Sequence, residues 1–282
     1  MILAIDIGNT TVALAGIKDG RVCFVSHMET LRCATEADYR PRLEKAFSGA
    51  KYHPVRFEGA VLASVVPTIT QVVAHCVSEY CDTEPLIIGP ETKTGLTMAV
   101  PEPEKVGKDR IVDAAAAAAH YPLPVVTVDM GTATTFNVID EKKAFLGGLI
   151  CPGLTTGLRA LSERCAQLPQ VRLNSPKAAI GTNTADCMIN GAVLGAAAMI
   201  DGITERVEAQ LGRPATVVVT GGLARFVVPH CRRTVVYEPE LLFKGLAALY
   251  AVNRPTGPVA GEQVSRKRKR RRKPRRHEHR GR

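Results

Sequence analysis

The sequence is poor in aromatic residues and has no tryptophan: aromatic side chains make up 5% of its 282 residues. Long apolar runs are missing too, since stretches such as Val125 to Val128 stop far short of the ~20 residues that a membrane span needs. The chain runs from Met1 through Ile5 directly into Asp6, without the basic region and apolar stretch of a signal peptide. These absences predict a soluble, cytoplasmic protein without membrane association.

Cysteine is not scarce, but close cysteine pairs are missing. Of the eight cysteines, Cys76 and Cys81 are the nearest to each other in sequence, and no Cys-x-x-Cys motif occurs. This spacing argues against a zinc site and against the dense cysteine pattern of a small disulfide scaffold. We interpret the cysteines as reduced thiols, as expected in a reducing cytosol.

Two common nucleotide-binding motifs are also absent. No Gly-x-x-x-x-Gly-Lys-Ser/Thr sequence occurs, and no Gly-x-Gly-x-x-Gly follows a predicted strand, which excludes a P-loop and a dinucleotide-binding unit. The chain does contain enough apolar material for folded domains, with 45% hydrophobic and 23% charged residues. Its length favours two domains of roughly 100–150 residues each.

Positive charge is concentrated at the carboxyl end. The net charge of +10 divides into +11 for residues 266–282, which hold twelve Lys or Arg and one Glu, and −1 for the remainder. Proline and glycine precede this run and no aromatic residue interrupts it, so residues 254–282 are predicted to form a disordered basic tail. Such a tail attracts polyanions by charge alone, and contact with nucleic acid is expected to be incidental.

The rest of the chain contains one pattern twice. A predicted strand ends at Asp6 and is followed by a polar turn at residues 8–11 and two further strands. A second strand ends at Asp129, 123 positions later, and is followed by a similar turn at residues 131–135 and again by two strands. A repeat at this separation predicts a duplication of domains rather than a solenoid.

The duplication places an N-terminal domain at residues 1–120 and a C-terminal domain at 121–253. Helices are predicted over three segments and a further buried strand over a fourth, at 70–80, 109–120, 184–211 and 217–219, respectively. Small residues on the 184–211 helix suit a domain core and a dimer interface equally.

Each polar turn has the residue types that bind phosphate. Backbone N–H groups near Gly8, together with the side chains of Asn9 and Thr10, can donate hydrogen bonds to phosphate oxygens. A carboxylate such as Asp6 beside a phosphate requires a metal ion between the two. Two such turns facing each other would clamp a polyphosphate, which predicts a nucleotide cleft between the domains.

Two other segments can complete a site at this cleft. The side-chain-free backbone at 221–222 lets a flat group such as adenine or ribose lie against the chain. Asp109 begins a predicted helix, and from the residues alone it is equally consistent with a catalytic base and with a helix N-cap.

Taken in order, these motifs resemble the type III pantothenate kinases, a family within the superfamily of acetate kinase, sugar kinases, heat-shock chaperones and actin. The resemblance covers about residues 1–252 and rests on Asp-x-Gly-Asn-Thr at 6–10, Lys-Thr-Gly at 93–95, Gly-x-Asp-Arg at 107–110, Asp-x-Gly-Thr-Ala-Thr-Thr at 129–135, Gly-Gly-x-Ile-x-Pro-Gly at 147–153, Asn-Thr at 183–184 and Thr-Gly-Gly at 220–222. It implies an α/β fold of duplicated ribonuclease H-like (actin-like ATPase) domains with a nucleotide cleft between them. The implied activity is ATP-dependent phosphorylation of pantothenate to 4′-phosphopantothenate, the first step of coenzyme A biosynthesis.

The resemblance also implies roles for individual residues. Asp109 corresponds to the base that takes the proton from the substrate hydroxyl, and Asp129 to the site of a monovalent cation, K⁺ or NH₄⁺. The implied ligands of ATP, which binds with Mg²⁺, are Asp6, Ile7, Gly8, Asn9, Thr10, Thr11, Val12, Ala13 and Thr132. The implied pantothenate-binding residues are Val100, Gly107, Lys108, Asp109, Arg110 and Thr184, the last contributed in part across the interface of a homodimer.

Two positions depart from the family pattern. Val100 stands where an aromatic residue is usual, and Glu91 stands where glycine is usual. An aliphatic side chain still offers an apolar wall, so the first change bears on substrate affinity more than on activity. Two alternative functions remain open: a kinase of the same fold acting on another small molecule, and a non-catalytic regulator with a nucleic-acid-binding tail.

Overall fold

The computed structural model describes residues 1–48 and 56–254, and the predicted basic tail beyond Arg254 lies outside the described residues. The first half of the chain alternates strands and helices in the order β1 (Ile2–Ile7), β2 (Thr11–Lys18), β3 (Arg21–Glu29), α1 (Glu36–Ser48), β4 (Gly59–Ser64), α2 (Pro67–Ser78) and β5 (Leu86–Ile87).

The second half begins with a short strand and a helix and then repeats the three-strand unit. Its elements are β6 (Thr97–Met98), α3 (Lys108–His120), β7 (Val125–Met130), β8 (Ala133–Ile139), β9 (Ala144–Pro152), α4 (Leu154–Arg164), α5 (Thr184–Leu211), β10 (Thr216–Thr220), α6 (Ala224–Val227), β11 (Val236–Tyr237) and α7 (Leu241–Asn253).

The described strands form two sheets with the same internal order. The first sheet runs β3-β2-β1-β4-β5, and the second runs β9-β8-β7-β10-β11 with β6 added beyond β9. In each sheet the three consecutive strands are antiparallel, and the strand on the other side of the first one is parallel to it. The predicted duplicated α/β fold of the ribonuclease H-like, actin-like ATPase class is thus confirmed.

The central strand β1 contributes to two cores because both of its faces are apolar. Leu3, Ile5 and Ile7 belong to the core that includes α1 and α2, while Ala4 faces the core that includes α3 and α7. A strand covered on both faces is expected to be a continuous apolar run rather than an alternating one, and residues 2–5 have that character.

Helix α3 connects the two sheets, because it packs against β4 of the first and against β7 and β8 of the second. The consecutive alanines 114–118 of α3 are buried, which allows close helix packing. At Gly245 of α7, a Cβ would lie 2.7 Å from the carbonyl oxygen of Val112 in α3. Only glycine therefore permits the observed approach of these two helices.

The domain boundary at residue 120 remains a prediction. Elements from each side of this residue pack against the sheet formed by the other side. Strand β6, from the N-terminal part, pairs with β9 of the second sheet. Helix α7, from the C-terminal part, packs against β1 and β4 of the first sheet.

Helix α5 is long and apolar enough to cross a membrane by length and composition alone, with a mean hydropathy of 1.5 over 18 residues. A core helix passes the same test, and Val193, Ala197 and Ile200 of α5 are buried in the core of the second sheet. This helix is therefore weak evidence for a membrane span, and the absence of membrane association stays a prediction.

Candidate active site

Asp6 and Asp129 occupy equivalent places in the two sheets. Asp6 is the second-to-last residue of β1 and lies opposite Ala63 of the parallel strand β4. Asp129 is the second-to-last residue of β7 and lies opposite Thr220 of the parallel strand β10. Both carboxylates therefore project from the carboxyl ends of central strands, where open α/β sheets place their ligands.

The turn after each aspartate is closed by a backbone hydrogen bond from its glycine, to a residue three positions later in the first turn and two positions later in the second. The N–H of Gly8 donates to the carbonyl oxygen of Thr11, and the N–H of Gly131 donates to the carbonyl oxygen of Ala133, each with an N···O distance of 3.0 Å. A Cβ on Gly8 would lie 3.1 Å from the Thr11 carbonyl oxygen, so this tight turn favours glycine. The repeat in the sequence thus corresponds to two glycine-closed turns at equivalent strand ends, the first of which is one residue longer.

The two turns meet across the gap between the sheets. The hydroxyl oxygens of Thr10 and Thr132 lie 3.2 Å apart and share a hydrogen bond, so the turns face each other as predicted. Of the other predicted ATP ligands, Ile7 and Val12 are fully buried, whereas Thr11 is exposed. Only the backbone groups of the two buried residues can therefore reach a ligand.

Helix α3 places Asp109 at the same edge. Gly107 is the N-cap of α3, and Asp109 lies in the first turn, where its Oδ1 accepts the backbone N–H of Arg110 at 2.8 Å. The N-cap interpretation of Asp109 is therefore wrong. A Cβ on Gly107 would lie 2.5 Å from Asp109 Oδ1, so the glycine leaves the space that this carboxylate occupies.

Asp6, Asp109 and Asp129 interact electrostatically. Burial raises the pKa of Asp6 well above its usual value, and the charges of Asp109 and Asp129 raise it further. Burial, followed by the charge of Asp109, raises the pKa of Asp129 to about 7. Burial also raises the pKa of Asp109, against the lowering effect of the Arg110 N–H and guanidinium. The site thus holds an excess of negative charge that a cation would relieve.

A fourth carboxylate, Asp113, was missed by the sequence analysis. Asp113 lies one helical turn after Asp109, is 2% exposed, and its Oδ1 has no hydrogen-bond partner among the described residues. Burial, followed by the charges of Asp129, Asp109 and Asp6, raises its pKa well above the usual value. The four-residue spacing on a helix was the available signal, because it puts both carboxylates on one face.

The donor set fits Mg²⁺ that is bound together with phosphates. Asp6 Oδ1 is buried and has no hydrogen-bond partner within residues 1–48 and 56–254, and carboxylate oxygens are the ligands that Mg²⁺ prefers. In the same ranges, no three His, Cys, Asp or Glu side chains are grouped so that they could hold a metal ion. Mg²⁺ commonly takes one or two carboxylates and completes its shell with substrate phosphates and water, which is compatible with this arrangement.

Arg110 is fixed in one orientation by its neighbours. Its Nε donates to Oδ1 of Asn137 at 2.6 Å, and its Nη2 donates to the carbonyl oxygen of Phe136 at 3.4 Å. The guanidinium carbon lies 5.7 Å from the centre of the Phe145 ring. Asn137 is itself buried and donates to the hydroxyl of Thr127 at 2.9 Å. A chain of polar contacts therefore holds this cation in place.

Two consecutive glycines of β9, Gly147 and Gly148, lie between the side chains of Val100 and Arg110 in space. A Cβ on Gly148 would lie 1.7 Å from the carbonyl oxygen of Phe136 and 3.0 Å from Arg110 Nη2. Gly147 has a φ of +113°, and a Cβ there would lie 3.7 Å from Cγ1 of the half-buried Val100. The structure thus brings Val100 and Arg110, two predicted substrate residues, to one glycine pair.

Two other predicted substrate residues are not joined to this group by a described contact. The Nζ of Lys108 donates to the carbonyl oxygen of Glu104 at 3.3 Å. Thr184 is exposed in the first turn of α5, next to the N-cap Asn183, whose side chain accepts the N–H of Asp186 at 2.9 Å. The substrate-binding roles of Lys108 and Thr184 therefore stay predictions.

The Thr-Gly-Gly segment has a different role from the one predicted for both of its glycines. Gly221 has a φ of +93°, and a Cβ there would lie 2.5 Å from Asp129 Oδ1 and 2.6 Å from the Met130 nitrogen. A Cβ on Gly222 would have no heavy atom within 4 Å. The close backbone approach at Gly221 is thus to Asp129, and only Gly222 borders open space.

The raised pKa of Asp129 predicts a pH-dependent cost to stability. Between pH ~4 and ~7 the folded protein keeps a proton on Asp129 that the unfolded chain has released, so stability falls as pH rises across this range. Asp129→Asn should therefore raise the free energy of unfolding of the cation-free protein by about 1–3 kcal/mol at pH 8, and change it little at pH 4. Thermal unfolding at both pH values checks this, and a variant less stable than wild type at pH 8 would contradict it.

Comparisons with known proteins agree with the motifs and the fold. A family model for type III pantothenate kinase matches residues 2–206. Type III pantothenate kinases of Exiguobacterium sp. strain AT1b and Halalkalibacterium halodurans are 39% and 37% identical to this chain, over 90% of its length and over 99% and 100% of theirs. A crystal structure of a conserved Baf family protein from Campylobacter jejuni matches with a TM-score of 0.57 at 18% identity, covering 89% of this chain and 98% of that one, which shows the fold alone. The chain belongs to the type III pantothenate kinase family.

Proposed function

We propose that this chain transfers the γ-phosphoryl group of ATP to the 4′ hydroxyl of pantothenate, giving 4′-phosphopantothenate and ADP in the first step of coenzyme A biosynthesis. One observation carries the proposal: the two aspartate turns touch through Thr10 and Thr132, with Asp109 and Arg110 at the same edge of the fold. Membership of the type III pantothenate kinase family supports the choice of substrate.

The phosphates of ATP are assigned to the two turns. Asn9 and Thr10 are exposed, and Thr10 and Thr132 can each exchange their mutual hydrogen bond for one to a phosphate oxygen. Asp6, whose buried Oδ1 has no hydrogen-bond partner among the described residues, would hold Mg²⁺ beside these phosphates. When bound, Mg²⁺ neutralises negative charge on the phosphates during transfer.

Asp109 is assigned the role of base. Its carboxylate accepts the proton of the 4′ hydroxyl while that oxygen forms a bond to the γ-phosphorus, and the bond from phosphorus to the bridging oxygen breaks with its electron pair leaving on ADP. A positioned base contributes typically ~10²–10⁴-fold to such a step. Because burial raises the pKa of Asp109, the carboxylate is more basic than an exposed one.

Arg110 is assigned to the group that is transferred or to the substrate beside it. The transition state of phosphoryl transfer is loose, so positioning and charge neutralisation supply most of the catalysis. The contacts to Asn137 and Phe136 hold the guanidinium in one place, which meets the requirement for positioning. Val100 supplies an apolar wall on the far side of Gly147.

We also propose a homodimer formed along α4 and α5. These helices line an apolar groove of about 490 Å³, in which a Cβ on Gly191 or Gly195 would meet nothing within 4 Å. Leu161 on α4 is 43% exposed and Ile150 on the neighbouring strand is 67% exposed. A second copy packed here would cover these side chains and bring Thr184, at the start of α5, towards an interface.

Two finer assignments complete the proposal. Asp129 is proposed to bind K⁺ or NH₄⁺, supported by the excess negative charge around it. A cytoplasmic location is proposed because all eight cysteines are free thiols, as expected in a reducing compartment.

The cation requirement tests this proposal together with the substrate. ADP release from MgATP should depend on added pantothenate and should be at least ~10-fold faster in potassium than in sodium at equal ionic strength. Equal rates in both salts would refute the monovalent-cation site while leaving the kinase in place. ADP release that ignores pantothenate would point instead to a kinase for another small molecule.

A further inference from the structure

The segment that follows β3 is hydrogen-bonded to the first aspartate turn. The backbone N–H of Thr30 donates to the carbonyl oxygen of Thr10 at 3.0 Å, and the Thr30 hydroxyl donates to the carbonyl oxygen of Gly8 at 2.7 Å. Two residues later, Nη2 of Arg32 lies 3.2 Å from Oδ1 of Asn9 and 3.5 Å from its carbonyl oxygen. The carbonyl oxygens of Gly8, Asn9 and Thr10 thus all have partners in the segment that follows β3.

The backbone around Arg32 is itself anchored. The N–H of Leu31 donates to the hydroxyl of the fully buried Tyr39 at 3.0 Å. The carbonyl oxygen of Arg32 accepts the hydroxyl of Thr68, in the first turn of α2, at 2.9 Å. The carbonyl oxygen of Leu31 also accepts the N–H of Ala34 at 3.3 Å. Because both peptide groups beside this side chain are held, the Arg32 side chain starts from a fixed position next to the turn.

Arg32 forms no ion pair with a carboxylate within residues 1–48 and 56–254. The two aspartate turns, at residues 6–13 and 129–135, contain carboxylates but no lysine or arginine. Arg110 is held by Asn137 and Phe136 and is already assigned to the transferred phosphoryl group or to the substrate beside it. An exposed guanidinium beside an uncharged part of the turn therefore meets the requirement of a triphosphate for a nearby cation.

We propose that Arg32 is a nucleotide-binding residue, whose guanidinium contacts a phosphate of ATP from the edge of the first turn while remaining bonded to Asn9. This inference rests on the proposed function, because it takes the turn as the ATP site. The other interpretation is that Arg32 only supports Asn9 from behind, in which case its hydrogen bond matters and its charge does not.

Two substitutions separate these interpretations. Arg32→Gln keeps a hydrogen-bond donor for Asn9 but removes the charge. Arg32→Lys keeps the charge but loses the paired N–H donors of the planar guanidinium group. Steady-state kinetics should show KM for MgATP raised roughly 10–100-fold in Arg32→Gln and less in Arg32→Lys, as expected for loss of a charge-assisted hydrogen bond. KM for pantothenate should stay within about two-fold. The matched control is Arg21→Gln, an exposed arginine at the far end of β3, which should resemble wild type.

Equal KM for MgATP in wild type and Arg32→Gln, or equal rises in the Gln and Lys variants, would overturn the inference. If wild type does not phosphorylate pantothenate, the proposed function fails, and the Arg32 inference is then tested by calorimetric titration with the magnesium complex of a non-hydrolysable ATP analogue. Wild type should bind that analogue at least ~10-fold more tightly than Arg32→Gln, and equal affinities would refute the role of Arg32.

Discussion

Asp109→Asn is expected to lower kcat for pantothenate phosphorylation at least ~100-fold, with little change in the fold. Asparagine has the size of aspartate and keeps an oxygen that can accept the N–H of Arg110, so the first turn of α3 can be preserved. It cannot accept the proton of the substrate hydroxyl. The loss should therefore appear in kcat, with KM for both substrates changed much less.

Initial rates and circular dichroism of wild type and variant check this prediction side by side. The matched control is Asp19→Asn, which removes an exposed carboxylate in the β2–β3 hairpin and should leave kcat unchanged. Normal turnover of Asp109→Asn would show that another group, or no protein group, takes the proton.

Arg110→Lys is expected to reduce kcat/KM roughly 100- to 1,000-fold, although the charge is kept. Lysine cannot donate to both Asn137 and the Phe136 carbonyl in the geometry of the guanidinium fork, so the cation loses its fixed position. It also leaves the buried Asn137 oxygen without its present partner. Positioning accounts for much of the rate of a loose phosphoryl transfer, and for this reason the expected effect is large.

The control for Arg110→Lys is Arg225→Lys. Arg225 also stacks on an aromatic ring, with its guanidinium carbon 4.8 Å from the centre of the Phe226 ring, but it is exposed and lies outside the proposed site. Its variant should keep kcat/KM within about two-fold of wild type. An Arg110→Lys enzyme that is equally active would mean that a charge near the site suffices and that the fork has no role.

The duplicated fold could be predicted because its main signal is local and repeated. A buried strand, an aspartate and a glycine turn recur around Asp6 and Asp129, and sheet pairing places these turns in equivalent positions. Periodicity within each half carries this information. Other features depend on contacts between distant segments, which no local pattern encodes. These are the order of the strands within each sheet, the pairing of β6 with β9 and the packing of α7 on the first sheet.

The less predictable parts of the site depend on tertiary contacts. Asp113 follows Asp109 at helical spacing, but its burial is set by both sheets that enclose α3. Asn137 is a polar residue in a buried strand, and its role is evident only once Arg110 reaches it. Gly221 has a motif position that suggested contact with a ligand, whereas the space that a Cβ would take is filled by Asp129.

The most direct test of the account is the fate of the γ-phosphate. Purified full-length protein is incubated with γ-labelled ATP, Mg²⁺, K⁺ and pantothenate, and the Asp109→Asn variant is treated in the same way. The labelled products are then separated, identified and quantified by mass spectrometry. The expected result is labelled 4′-phosphopantothenate in equal amount to the ADP formed by wild type, and about 1% of that amount or less from the variant. Label found only in inorganic phosphate, or in no product at all under these conditions, would contradict it.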